Sequence, residues 1–437
     1  MGIASLLSQG PLRSSQWRET DYFAGFIKPK TKTTMNTTFK FRRITEHVHW
    51  VGAIDWNIRD FHGYLTNRGT TYNAYLILAD KITLIDTVKA PFKNELLARI
   101  ASIIEPTKID YIVSNHSEMD HSGSLPQIIE AVKPEKVFAS KMGTKALKAH
   151  FGLDVAPVEN GGTLDLGNMA LTFVETKMLH WPDSMVSYLD ADKVLFSQDG
   201  FGMHLATSER FSDEIDRAVM EQEAAKYFAN ILLPYSPLVE KLLADLPGLG
   251  LDIEILAPDH GPVWRGDNIG WILGLWGKWA KQSPTNKAVI VYDTMWGSTD
   301  LIARAIADGL IEGGTSVELM KLRASHRSDV VTELLDAGAI IAGSPTINNN
   351  IFPTVADLLY YIKGLKPKNL IGAAFGSYGW SGEAVGQIEE KLKEMNVELA
   401  HEGFKANYVP DAEALESCRK MGKAIAKKCE VLSRTVG

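Results

Sequence analysis

Hydrophobic and polar positions change period twice along the chain. Short apolar runs come first and predict strands over 48–54, 73–78 and 81–86, with Ala79-Asp80 as a tight turn between the last two. Longer amphipathic stretches then alternate with apolar runs, so helices are expected over 91–104, 125–132 and 144–151 and a strand over 109–113. Two further runs, 184–189 and 193–197, flank Asp190-Ala191-Asp192 and read as a hairpin. This mixture predicts an α+β unit whose sheets are covered by helices.

Gln282-Ser283-Pro284-Thr285-Asn286 breaks the pattern and marks a domain boundary. Beyond it the order is regular: strands over 287–292, 316–322, 339–342 and 370–375, and helices over 299–312, 329–337, 355–362 and 382–395. Ile302, Ile306 and Leu310 share one stripe of the first of these helices, and Gly313-Gly314 ends it. Alternation at this pitch predicts an α/β domain with a doubly wound parallel sheet, whose ligands sit at the carboxyl ends of its strands. The expected domains are 39–283 and 284–437. Residues 1–38 are polar, without periodic pattern, and are expected to be disordered; Met35, just before the first strand, fits an over-long start as well as a real extension.

A length of 437 residues allows two domains with a core each. With 45% hydrophobic residues, 23% charged and a net charge of −7, the chain has the composition of a soluble protein and no electrostatic reason to seek nucleic acid or an anionic membrane. It contains no apolar run of about 18 residues or more, and no secretory signal, so the cytoplasm is the expected location. Its two cysteines, Cys418 and Cys429, fall on what reads as the last helix and carry no motif, so they are expected to be structural. Two thiols cannot build a four-thiolate iron site, so any iron–sulfur-type electron donor has to be another protein.

Candidate chemistry concentrates in Ser114-Asn115-His116-Ser117-Glu118-Met119-Asp120-His121-Ser122-Gly123. Two imidazoles and two carboxylates follow directly on an apolar strand there, a make-up suited to zinc, iron or manganese. His116, Glu118 and Asp120 alternate, which would point them to one side of an extended or turning loop, while His121 would open the turn before the next helix. His180 in Met178-Leu179-His180-Trp181-Pro182-Asp183, Asp199 after the 193–197 strand, and His260 in Ala257-Pro258-Asp259-His260-Gly261-Pro262 each follow an apolar stretch at a turn. Seven ligands suffice for two metals.

A second chemistry lies in Tyr292-Asp293-Thr294-Met295-Trp296-Gly297-Ser298-Thr299, which joins a buried strand to a helix. Free N–H groups at the helix start, with hydroxyls from Thr294, Ser298 and Thr299, make a phosphate cradle without a lysine. The later loops Gly343-Ser344-Pro345-Thr346-Ile347-Asn348-Asn349-Asn350 and Phe375-Gly376-Ser377-Tyr378-Gly379-Trp380-Ser381-Gly382 also follow buried strands. All three resemble the loops with which flavodoxins bind FMN. The resemblance implies contacts from Met295, Trp296 and Gly297 beside the phosphate, from Pro345, Thr346, Asn348, Asn349 and Asn350 at the ring edge, and from Ser377, Tyr378, Gly379 and Trp380, with Trp380 or Tyr378 stacking on the ring face.

The ordered metal set resembles the metallo-β-lactamase superfamily, with one departure. Its zinc hydrolases usually carry His-x-His-x-Asp-His, and here Glu118 stands at the second histidine. A carboxylate there adds a hard anionic ligand and favours a di-iron pair. The His-x-Glu-x-Asp-His form followed by a flavodoxin-like domain resembles the flavodiiron proteins (A-type flavoproteins), from about Lys40 to the C-terminus. That resemblance implies a metallo-β-lactamase-like αββα sandwich, then a flavodoxin-like sheet, with FMN and two irons as cofactors. It further implies that His116, Glu118 and His180 hold the iron nearer the flavin, that Asp120, His260 and His121 serve the other, and that Asp199 bridges them.

The implied reaction is reduction of dioxygen to water or of nitric oxide to nitrous oxide, with electrons from an external rubredoxin, in a head-to-tail homodimer or a tetramer of two such pairs. Which gas is preferred stays open. The aromatic stretch 55–75 lies near where the family walls its substrate pocket, so His62 or Tyr64 is expected to line it. His47, His49, His150, His204, His326 and His401 match no ligand position and are expected at the surface or in packing. Two other readings remain: a zinc-dependent hydrolase with a flavodoxin-like appendage, and an electron carrier with a vestigial metal domain.

Overall fold

The first apolar run divides at Gly52 into Val48–Trp50 and Ala53–Asp55, which join different sheets. A side chain there would bring its Cβ within 2.2 Å of the Tyr72 carbonyl oxygen, so glycine alone lets the chain cross. The computed structural model describes residues 38–436. The expectation of disorder over 1–38 therefore lies, save for Thr38, outside the described residues.

Val48–Trp50 belongs to a seven-stranded sheet with Arg42–Arg43, Tyr75–Ile77, Thr83–Ile85, Tyr111–Ser114, Lys136–Ser140 and Ala156–Val158. A six-stranded sheet of Thr163–Asp165, Ala170–Glu175, Met185–Leu189, Val194–Gln198, Ile255–Pro258 and Trp264–Arg265 packs on it. Trp50, Tyr75 and Val113 of one sheet and Phe173, Met185 and Phe196 of the other form one buried cluster between them. The outer face of the first sheet presents Leu76, Leu84 and Ile112 to the helices Lys93–Ala101, Leu125–Val132 and Lys141–Phe151. The outer face of the second presents Val186, Leu195 and Leu256 to Arg217–Tyr227, Ser236–Asp245 and Asp267–Lys281. This is the αββα sandwich. The helix expected over 144–151 begins at Lys141, because Ser140 Oγ accepts the Gly143 N–H at 3.0 Å and caps an earlier start.

The third sheet is parallel, in the order Ser316–Lys321, Lys287–Tyr292, Ala339–Ile347, Ile371–Tyr378, Glu398–Leu399, with Phe404–Asn407 pairing farther along Ile371–Tyr378. That is the 2-1-3-4-5 order of a flavodoxin-like sheet. Alternation along Lys287–Tyr292 turns Ala288, Ile290 and Tyr292 towards the helices Ser298–Glu312 and Ala412–Val436. Val289 and Val291 face the other way, into the same buried cluster as Phe228 and Trp276 of the sandwich, so the core runs on from one domain into the next. Cys418 and Cys429 are unpaired and buried on the last helix.

Two departures from the expected elements bear on the sites. The strand expected over 339–342 extends to Ile347, because Asn348 and Asn349, at φ 48° and 60°, turn the chain back into Asn350–Ile351 as a tight hairpin. The helix expected over 329–337 is Arg327–Glu333, started early by His326, whose Nδ1 accepts the Ser328 N–H at 3.3 Å. Replacing Gly52 by alanine is expected to lower unfolding free energy by about 1–3 kcal/mol, since the surrounding backbone has to give way. Denaturant unfolding checks this, and an unchanged midpoint would contradict the enforced crossing.

Candidate metal centre and flavin cavity

The seven metal candidates converge from four segments at strand ends. His116 and Glu118 follow Tyr111–Ser114, His180 lies between Ala170–Glu175 and Met185–Leu189, Asp199 follows Val194–Gln198, and His260 follows Ile255–Pro258. The alternating loop expected after His116 tightens into a short helix, Met119–Ser122. Ser122 Oγ reaches back to the carbonyls of Ser117 and Glu118 at 2.7 and 2.9 Å, which closes that turn. Asp120 and His121 therefore project from helical positions, and His121 does not open a turn.

Two groups of donor atoms result, each with its members within 4.8 Å of one another. In the first, His116 Nε2 and His180 Nε2 both stand 3.2 Å from Glu118 Oε2. The same two nitrogens lie 3.3 and 3.2 Å from Asp199 Oδ2. In the second, His260 Nε2 and His121 Nε2 lie 3.1 and 3.4 Å from Asp120 Oδ2. Asp199 turns its other oxygen to this group, with Oδ1 at 3.1 Å from His121 Nε2 and 3.5 Å from His260 Nε2. All seven are buried except His180, which is partly so.

The outer nitrogens of His116 and His260 are hydrogen-bonded and that of His121 faces a carboxylate, which aims the inner ones. His116 Nδ1 lies 3.2 Å from Asp183 Oδ2, which also accepts the Ser117 N–H at 2.6 Å. His260 Nδ1 donates to the Thr71 carbonyl at 2.5 Å, and His121 Nδ1 faces Asp259 Oδ2 at 3.4 Å. Burial pushes the Glu118 carboxyl up, but bonds from His116, His180 and His62 outweigh it and hold the group below the usual carboxylate range. Asp199 is likewise held down, burial being outweighed chiefly by His121. Both oxygens of Asp120, both nitrogens of His121 and Asp199 Oδ1 are buried without a hydrogen-bond partner. Ionised carboxylates left in that condition are costly, and cations lying between the inner atoms would satisfy them. A set of four imidazoles, three carboxylates and no thiolate fits a pair of irons.

Other residues at this site escaped the sequence reading. Of His62 and Tyr64, expected as alternatives to line a substrate pocket, His62 is the one that stands beside the ligand candidates. Its Nε2 is 2.7 Å from Glu118 Oε1, and with Asp60, Phe61, Lys89, Met119 and Asp120 it lines a cleft of about 410 Å³. Tyr64 is buried behind, 5.3 Å from the His204 ring. His204, expected at the surface or in packing, is a packing residue. It is fully buried, its ring 4.6 Å from that of His260, and burial, then the neighbouring His260, hold its pKa well below the ordinary value. Nothing in the sequence around His204 marks it. Asp183 and Asp259 carried a signal, each being a carboxylate close in sequence to a candidate histidine.

At the carboxyl ends of the neighbouring strands Lys287–Tyr292 and Ala339–Ile347, the three hydroxyl-rich loops enclose a cavity of about 340 Å³. Met295, Trp296, Ser298, Pro345, Thr346, Asn348, Asn349, Ser377, Tyr378, Gly379 and Trp380 line it, joined by Ser381 of the same loop and by Tyr408, which lies outside all three loops. Thr294, Gly297, Thr299 and Asn350 were expected as contacts and do not line it. They shape the loops instead: Thr294 Oγ1 accepts the Gly297 N–H at 3.0 Å, Thr299 Oγ1 pairs with Ser377 Oγ at 2.9 Å, and the Asn350 amide donates to the Asn348 carbonyl at 2.9 Å. A helix start at Ser298 for a phosphate and aromatic rims at Trp296 and Trp380 fit a flavin mononucleotide.

Sandwich and sheet together define a two-domain class, in which a metallo-β-lactamase-like domain with a two-metal ligand set is followed by a flavodoxin-like domain. Residues 70–261 match the family described as ODP family beta lactamase, and residues 290–422 match flavodoxin. The chain is 48% identical over 391 residues to a nitric oxide reductase of Moorella thermoacetica, spanning 88% of this chain and 98% of that one. The solved rubredoxin oxygen:oxidoreductase from Desulfovibrio gigas superposes with a TM-score of 0.88 at 48% identity, over 90% of this chain and 99% of that one. The flavodiiron protein from Giardia intestinalis does so with a TM-score of 0.86 at 34% identity, over 94% and 100%. This chain belongs to the flavodiiron protein family.

Asp183→Asn keeps the shape but loses the charge behind His116. Metal affinity is expected to fall about 10- to 100-fold, read by chelator competition. Affinity equal to that of the wild type would show that the Asp183 contact does not help to hold the imidazole.

Proposed function

We propose that the chain reduces dioxygen, nitric oxide or both at two irons, with electrons entering through FMN from a rubredoxin-type donor. In this reading the metal domain spans about residues 39–283 and the flavin domain 284–437. His116, Glu118 and His180 would hold one iron, Asp120, His121 and His260 the other, and Asp199 both. The observation that carries the reading is the way Asp199 divides its oxygens, Oδ2 towards one ligand group and Oδ1 towards the other.

When bound, the irons and FMN supply electrons one at a time to the gas. Dioxygen taken to two waters consumes four electrons and four protons, and two nitric oxides taken to nitrous oxide and water consume two of each. The protein's part is to hold and orient. Asp183 and the Thr71 carbonyl fix the rings of His116 and His260, so little reorganises during the reaction. Phe61 lies 4.7 Å from the His204 ring and 6.3 Å from His260, giving the site an apolar wall that suits small neutral gases. Glu118 in place of an imidazole supports iron over a zinc hydrolase centre.

The proposed assembly is a head-to-tail homodimer, or a tetramer of two such pairs, seating one chain's flavin over the partner's metal cleft. Trp296 and Trp380, 95% and 89% exposed at the rim of the flavin cavity, support it, because they present large apolar rings that a second chain would cover. Among the described residues no helix is long and apolar enough to cross a membrane. The proposed location is the cytoplasm.

Gas consumption by protein shown to hold both cofactors, given the same reduced rubredoxin with dioxygen and then with nitric oxide, tests the reading. Uptake of either gas is expected, and the faster one identifies the main substrate. Neither gas consumed, with ester turnover by a zinc-loaded form, would overturn it in favour of the hydrolase.

A further inference from the structure

Asp60–Phe61 and Tyr64–Leu65 pair with each other in a two-stranded ribbon that joins neither sheet of the sandwich. Its turn is His62-Gly63, both residues in the left-handed region at φ 56° and 73°, as a two-residue hairpin turn requires. A lone ribbon of this size does not hold its own position in water. Its tip nevertheless places His62 Nε2 2.7 Å from Glu118 Oε1.

Much of what holds it comes from the flavin domain. Arg327, the first residue of the Arg327–Glu333 helix, directs Nε and Nη2 at the Gly63 carbonyl, each at 3.2 Å. Ser328 Oγ accepts the Leu65 N–H at 3.3 Å. Arg327 is itself fixed, with Nη1 at 2.7 and 2.9 Å from the two oxygens of Asp357 and its guanidinium 5.0 Å over the Tyr361 ring. Asp357 sits on the Pro353–Leu365 helix one turn from Thr354, whose hydroxyl donates to Asp293 Oδ2 at 2.7 Å. Asp293 opens the phosphate loop of the flavin cavity. The guanidinium lies close over the turn, since a Cβ on Gly63 would come within 2.5 Å of Arg327 Nη2.

We propose that Arg327 is a positioning residue for the metal centre, through which the flavin domain grips the Gly63 carbonyl and keeps His62 on Glu118. The inference rests on the reading of Glu118 as an iron ligand. With Oε1 held by His62, Glu118 keeps Oε2 towards His116 and His180, the direction in which a metal would be bound. Without the clasp the ribbon loses its outer anchor, and the carboxylate is free to turn.

The test follows iron release to a chelator from full-length protein loaded with iron and FMN. It compares wild type with Arg327→Ala, Arg327→Lys, His62→Ala and the double variant Arg327→Ala/His62→Ala, recording FMN content, melting temperature and hydrogen exchange at the Leu65 amide. Arg327→Ala and His62→Ala are each expected to release iron on the order of tenfold faster. Arg327→Lys, which keeps the charge but not the fork that serves Gly63 and Asp357 together, is expected between wild type and Arg327→Ala, and the double variant no faster than His62→Ala, because both changes act on one contact. FMN content is expected to stay constant, and Leu65 exchange to rise in Arg327→Ala. Iron release unchanged in Arg327→Ala, a lower melting temperature alone, or effects that multiply in the double variant would overturn the inference. Wild-type protein that binds no iron would overturn the ligand reading and this inference with it, whereas normal iron binding with unaltered release would overturn this one alone.

Discussion

Three buried carboxylates, Glu118, Asp120 and Asp199, meet at one end of the sandwich, and neutralising them is the constraint on which the rest of the structure depends. Removing each ion from water costs several kcal/mol even after relaxation, roughly, so the cluster is tolerable only with cations or well-aimed donors among its members. Four imidazoles supply part of the answer, and the outer contacts at Asp183, Asp259 and Thr71 turn three of them inwards. Hydrogen bonds do not complete it, since Asp120 and Asp199 Oδ1 remain unpartnered. Metal binding at such a site is coupled to folding, because the ligands come from strands far apart in sequence that meet only in the finished sandwich.

The features legible in the sequence were those written locally. The spacing from His116 to His121, and the apolar strands before His180, Asp199 and His260, marked out the residues that the structure gathers into two groups. The carboxylate at Glu118 separated iron from zinc chemistry through one ligand's hardness. Parallel strands such as Lys287–Tyr292 were also visible, because strands buried on both faces read as unbroken apolar runs.

What stayed hidden depends on tertiary approach. His204 looks like any other histidine until the fold sets it against His260. Tyr408 joins the flavin cavity from the bend that follows Phe404–Asn407, and Arg327 meets Gly63 across 264 positions of sequence. The alternating loop expected after His116 gives way to a helical turn for a different reason, since the Ser122 hydroxyl bonds that close it leave no mark in the order of polar and apolar residues. Local pattern decides which residues are available, and packing decides which of their atoms face inwards.

The two domains share more than a linker. Val289 and Trp276 lie in one continuous core, and the ribbon that carries His62 to Glu118 is held from the flavin side as well as its own. The most direct test of the central claim, a two-iron site divided by Asp199, is anomalous diffraction from iron-loaded crystals at energies on either side of the iron edge. The account predicts two iron peaks flanking Asp199, one beside His116, Glu118 and His180 and the other beside Asp120, His121 and His260. A single peak, or density that scatters as zinc, would contradict it.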